Sequence, residues 1–275
     1  MSAVAPIEVP SRAATHAGDA SLDEALLALA LRQADSPLVL AQRLCEWIGK
    51  APILEEDIAQ ANVGLDLVGQ ARLWYAYAGE IEVRMGRVAR GEDDFAFRRD
   101  ASAFRNVLLV EQPNGDFAHT IVRQFLFDAA QHLALDALAR SRDARVAAIA
   151  AKAAKEVDYH VERSADWVVR LGDGTAESHE RMQRALDALW PYTGELFDAD
   201  ATDLALAEAG FGVDPRTLAA QWRETVDAVL ADATLARPAD GYVQRGGRDG
   251  RHSEHLGHLL CELQFLQRAY PDARW

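Results

Sequence analysis

Three rows of polar side chains recur at four-residue spacing: Asn62, Asp66 and Gln70; Gln124, Asp128, His132 and Asp136; and Glu156, His160 and Ser164. Residues four apart share one face of a helix, and the inward stripes of helical bundles are normally apolar. The rows therefore predict a buried polar layer spread over several helices. In bundles such a layer serves carboxylate-bridged metal binding. Two irons take one Glu from each of two helices and a Glu-x-x-His from each of two others. None of the eight histidines stands three residues after a Glu; the nearest cases are Glu156/His160 and Glu254/His258 at four and Asp116/His119 at three. The full ligand set is absent. For Asp128/His132 and Glu156/His160 the residues favour an i,i+4 charge-assisted hydrogen bond, about 0.5–1.5 kcal/mol each. A degenerate or mononuclear metal site is the alternative.

The densest imidazole group is His252, His255 and His258, which Glu254 and Glu262 could supplement as zinc-type ligands. It adjoins a glycine-rich loop and lacks a clear partner to orient the rings, so a capping or interface role is favoured over metal. Cys45, in the apolar run Leu40–Ile48, reads as a buried inert thiol, and no Ser or Cys has the strand–turn–helix context of a nucleophile. Gly246–Gly250 resembles a phosphate loop only in glycine content and reads as a mobile turn. The tryptophans fit core packing, with Trp74-Tyr75 and Trp190-Pro191-Tyr192 partly lining a subunit interface.

The elements that position these residues are helical. Ser21 and Glu24 form a capping box opening a helix to Gly49, kinked at Pro37, and Leu54 to Arg84 makes a second. Phe95 to Glu111 reads as a shorter helix, stopped by Pro113-Asn114-Gly115. Asp116 and Asp143 cap helices reaching Arg140 and Leu171. Helices then follow over Ala176–Phe197, from the Asp214-Pro215 cap to Thr234, and over Ser253–Tyr270, after a loop at Arg237–Arg251. The fold class is all-α: a four-helix bundle core with additional flanking helices. Residues 1–20 form a disordered N-terminal tail, and 21–275 a single domain.

Composition narrows the function. A net charge of -14 over 275 residues argues against nucleic acid as a partner. Two distant cysteines give no disulfide framework and suit a reducing cytoplasm. No apolar run is long enough for a membrane span, and the N-terminus lacks signal-peptide organisation.

The stretches Leu38–Trp47, Ala61–Arg72, Leu109–Phe117 and His252–Leu256 resemble the non-catalytic, ferritin-like subunit family of the phenylacetyl-CoA oxygenases, over roughly Leu22 to Trp275. The resemblance implies a ferritin-like fold. It also implies a place in a multicomponent monooxygenase that epoxidises phenylacetyl-CoA, where a homologous catalytic subunit holds the di-iron centre. In such complexes a separate reductase brings electrons from NADPH through flavin and iron–sulfur groups. This chain would be the non-catalytic scaffold, with no cofactor, catalytic residue or metal ligand of its own. The sibling's first Glu-x-x-His falls on Leu67 and Gln70, its second on Val157 and His160, and its third-helix carboxylate near Asp128, level with Val157 across the hairpin. The first-helix Glu falls near Ser36-Pro37. The remaining alternative is an independently active ferritin-like metalloenzyme, a carboxylate-bridged oxidase.

Overall fold

The computed structural model describes residues 12–271 and 273, with side chains from Ser21 onward. Four long helices make its centre: α1 (Arg12–Cys45), α2 (Leu54–Arg84), α4 (Phe117–Leu138) and α5 (Ala144–Gly172). The short α3 (Glu92–Phe97) precedes α4, and α6 (Ala176–Leu189), α7 (Ala201–Ala209), α8 (Ala219–Asp232), α9 (Glu254–Leu263) and α10 (Phe265–Ala269) follow the bundle. Consecutive long helices pack as the pairs α1–α2 and α4–α5, joined through α2–α5, with α6 and α8 against the second pair and α7 against α1. Among the described residues there is no strand, so the ferritin-like, all-α expectation holds.

Local chemistry explains most boundaries. Asp116 accepts from His119 N at 2.9 Å and Asp143 from Arg145 N and Val146 N at 2.8 and 2.9 Å, occupying donors that each helix leaves open at its start. Asp214 and Pro215 open a 3₁₀ turn that leads into α8. The first helix begins at Arg12, ahead of the expected Ser21 cap, and runs through Pro37 to Cys45. The alanines between Arg12 and Ser21 favour that continuation. The rest of the expected tail, residues 1–11, lies outside the described residues.

The largest departure is Phe95–Glu111, expected as one helix. Only α3 and two 3₁₀ turns form, at Ala101–Ala103 and Leu108–Glu111. Side chains distant in sequence take the backbone donors that a helix would use. Arg105 N donates to Asp35 Oδ2 at 2.7 Å, Val107 N to Ser36 Oγ at 3.2 Å and Leu108 N to Glu195 Oε2 at 2.7 Å. Asp35 is fully buried, and it also accepts from Tyr75 Oη at 2.6 Å and forms an ion pair with Arg99. Pro191 ends α6 at Leu189 and leaves 3₁₀ turns to Phe197, and the last helix breaks at Gln264 into α9 and α10. Gln264 spends its amide on the carbonyls of Ala96 and Arg99, both at 3.0 Å.

Candidate functional site

The polar layer lies where α2, α4 and α5 meet. Gln70, Gln124, Asp128, His160 and Ser164 are all buried, and Leu67 and Val157 are fully buried beside them on the inward faces of α2 and α5. The rows leave the interior at their ends, for Asn62 and Asp136 are exposed and Asp66 and His132 are half-buried.

The expected same-helix pairs do not form. Asp128 accepts from Gln124 Nε2 at 2.6 Å and lies 3.2 Å from Ser164 Oγ. His132 instead sits 3.5 Å from Asp158, His160 Nε2 meets Asp66 at 3.1 Å, and Glu156 takes Gln70 Nε2 at 3.1 Å and Lys152 at 2.7 Å. Asp128 and Glu156 each take the neighbour four residues before them in place of the histidine four residues after, together with a partner on another helix, and His132 and His160 pair only across helices. Asp128 is thus level with Ser164, seven residues on from Val157. The link between α4 and α5 is an open turn tied to the end of α7, with Arg142 N on Gly210 O at 2.9 Å and Ser141 Oγ on Phe211 O at 2.8 Å.

Burial sets the electrostatics. It raises the Asp128 carboxyl well above the ordinary range, against the opposing pull of Gln124, Ser164 and Arg163. It also lowers the His160 imidazole, against Asp66 and Glu156. Both groups are pushed toward their neutral forms. Among the described residues, His160 Nδ1, the Oε1 atoms of Gln70 and Gln124, and both amide atoms of Gln60 are buried without a protein partner.

Gln60 and Arg163 were not foreseen in this layer. Gln60 stands seven residues before Leu67 on the same inward face, and Arg163 pairs with Glu56 across α2 and α5. The signal for Gln60 was its spacing of seven from Leu67. Arg163 had none, because its partner lies on another helix.

The other sequence candidates resolve differently. The imidazole of His252 is buried, its Nδ1 on the Glu111 carboxylate and its Nε2 3.0 Å from Phe104 O, while His255 is half-buried and His258 exposed. Glu111 also accepts from Asn106 Nδ2 at 2.9 Å and from Ser253 N and Oγ at 2.9 and 2.6 Å. Arg43 donates to Glu111 O at 2.7 Å and Asn114 Nδ2 to Arg43 O at 2.7 Å, so three of the four resembling stretches converge here. The Gly246 loop does cradle an anion, but the anion is the protein's own. Gly246 N and Gly247 N each donate to Glu195 Oε1 at 2.8 Å. Cys45, expected buried, is exposed on the last turn of α1, and partial desolvation by its neighbours together with Glu46 raises its thiol pKa. Trp74 and Tyr75 are fully buried and Trp190 nearly so, which removes them from any interface.

A family model described as phenylacetic acid catabolic protein matches residues 10–275. The chain is 51% identical over 252 residues, 91% of its length and 99% of the relative's, to the C component of the 1,2-phenylacetyl-CoA epoxidase of Escherichia coli (strain K12).

Proposed function

The chain belongs to the phenylacetic acid catabolic protein family, and we propose that it is the structural subunit of a multicomponent 1,2-phenylacetyl-CoA epoxidase. It pairs with a homologous ferritin-like subunit that holds the di-iron centre, and it does no chemistry itself. The complex draws its electrons from NADPH through the flavin and iron–sulfur groups of a reductase. It works in the cytoplasm, in keeping with two free, exposed cysteines and with the lack, among the described residues, of a helix long and apolar enough to cross a membrane.

The observation that carries this reading is the donor set of the polar layer. At the positions where the resemblance places ligands, Leu67 and Val157 offer no donor atom and Gln70 only a neutral amide, which leaves Asp128 and His160, while the nearby Asp66 and Glu156 carboxylates are half-buried and already paired with His160, Gln70 and Lys152. Asp128 and His160 are engaged with Gln124, Ser164 and Asp66, and burial favours their neutral forms. Two iron cations need several carboxylates to balance their charge, so these residues do not fit a two-iron centre. The layer serves instead to fix how α2, α4 and α5 pack, since the bonds of Gln70 to Glu156, His160 to Asp66 and Ser164 to Asp128 cross between helices and hold only in one register.

The test is metal analysis of the purified chain from iron-rich medium, with reconstitution of the epoxidase in its presence and absence. The expected result is no stoichiometric iron in the chain alone and a loss of epoxidation when it is left out. About two irons per chain, the content of a complete carboxylate site, together with oxygen consumption by the isolated protein, would identify an independent oxidase.

A further inference from the structure

Between α1 and α4, on the side of α7, lies a cavity of about 100 Å3. Its wall is apolar where Leu29, Phe127, Leu138, Leu196 and Val213 meet, and its charged groups are Arg32, Arg105, Arg248 and Asp203. Asp203 accepts from Arg32 Nη1 at 3.0 Å, from Arg248 Nη2 at 2.6 Å and from Asp200 N at 3.0 Å, and Arg32 takes Asp200 as a second carboxylate. Two arginines are thereby matched by two carboxylates. Arg105 stands outside this balance. Its Nη1 donates to the carbonyls of Ser102 and Phe104 at 2.8 and 2.6 Å, which fixes the guanidinium without neutralising it. Among the described residues no carboxylate pairs with Arg105, and its Nε and Nη2 meet no protein acceptor. That is the edge through which Arg72, Arg84 and Arg145 each hold a carboxylate in this chain.

Two neutral groups in the wall add to the open donors. Ser36 Oγ accepts from Val107 N at 3.2 Å and, among the described residues, gives its own hydrogen to no protein acceptor. Gln131 Nε2 donates to Gln33 Oε1 at 3.0 Å, which leaves Gln33 Nε2 to donate and Gln131 Oε1 to accept. Among the lining side chains, open donors therefore outnumber open acceptors, and the strongest carries an unmatched positive charge. Apolar walls with a few convergent polar groups make a small-molecule site, and these polar groups select an anion of single charge. Size narrows the ligand further. An apolar cavity of roughly 150 Å3 admits a benzene ring, so this smaller one suits a short or branched alkyl body.

We propose that the cavity between α1 and α4 binds a small aliphatic monocarboxylate, its carboxylate bidentate on Nε and Nη2 of Arg105 and its alkyl body against Phe127 and Leu138. The site uses other residues than the polar layer, and its occupancy does not depend on the scaffold reading. The experiment is calorimetric titration of the full chain with isobutyrate. Isobutyramide serves as its uncharged counterpart, phenylacetate as an acid whose ring exceeds the cavity, and phosphate as an anion without an apolar body. Saturable binding of one isobutyrate per chain is expected, with the other three compounds at least about tenfold weaker. Arg105→Gln should weaken isobutyrate at least about tenfold, the effect of losing charge-assisted hydrogen bonds. Ala134→Leu, which fills the cavity from the α4 side and leaves Arg105 in place, should do the same. Circular dichroism melts establish that the variants fold, and if Arg105→Gln does not, Ala134→Leu carries the test by itself. No saturable heat up to about 50 mM isobutyrate, where a millimolar site would be filled, overturns the proposal. Binding that the folded variants leave unchanged also overturns it, because the acid then sits elsewhere. Phosphate as tight as isobutyrate overturns the apolar body, and phenylacetate as tight overturns the assigned size.

Discussion

Replacing Asp128 by Asn tests the chemistry of the polar layer most directly. Ser164 Oγ lies 2.7 Å from the His160 carbonyl and 3.2 Å from Asp128 Oδ2. A hydroxyl has one hydrogen, and the shorter contact takes it. A neutral Asp128 completes the chain by donating from Oδ2 to Ser164 Oγ while Oδ1 accepts from Gln124. Asn reproduces both bonds without a titratable group, so Asp128→Asn should cost less than about 1 kcal/mol where the wild-type carboxyl is protonated in both states. Asp128→Ala leaves two buried polar partners open, at about 1–3 kcal/mol each. The pH dependence carries the sign. A carboxyl raised on folding contributes stability that is fully present below its unfolded value near 3.8 and is lost as pH rises through the folded value. Over that window wild type should lose about 1.4 kcal/mol per pH unit relative to Asp128→Asn. Urea unfolding of both proteins from pH 4 to 8 measures this. A difference that stays flat with pH, or an Asn variant more than about 2 kcal/mol less stable than wild type at neutral pH, would refute a neutral Asp128.

Asp35→Ala should destabilise by about 3–5 kcal/mol in the same assay, because it strands the buried Arg99 and removes the acceptor of Tyr75 Oη and Arg105 N. Tyr75→Phe should cost about 1–3 kcal/mol, because its hydroxyl both donates to Asp35 and accepts from Arg99. A Cβ at Gly247 would stand 2.2 Å from Asn106 O, so Gly247→Ala must displace the loop and should lower the melting temperature by several degrees; an unchanged melt would contradict the packing described. Glu195→Gln keeps one acceptor oxygen, enough for Gly246 N and Gly247 N together or for Leu108 N but not for both sides, so it should perturb less than Glu195→Ala while speeding amide exchange on one side only.

The long helices were legible because their caps and apolar periods are local. Asp116, Asp143 and Asp214 each act within three residues of themselves. The stretch from Phe95 to Glu111 was not, since its backbone partners sit on Asp35, Ser36 and Glu195, and only the folded chain brings these near. α7 was overlooked although its signals were present: Asp200 and Asp203 form a capping box, and Gly210, at φ +76°, ends the helix. At the polar layer, spacing found Gln70, Asp128 and His160 but assigned Asp128 and His160 to the wrong partners. Spacing along one helix says nothing about the register between two.

The carboxylate of Glu195 joins three backbone amides at sequence separations of 87, 51 and 52 residues. The Leu108 contact cannot form until the chain has been made past residue 195, and the two glycine contacts not until it is past 246. Each closes a long loop, whose entropic cost must be met before the contact gains anything. The helical hairpins, whose contacts are local, can therefore assemble early, while the 104–111 segment waits for the last fifth of the sequence. On a ribosome, the nascent chain would hold its pairs of long helices well before this strap is fastened. Pulse-labelled hydrogen exchange during refolding should find Leu108 and Gly246 among the last amides to gain protection.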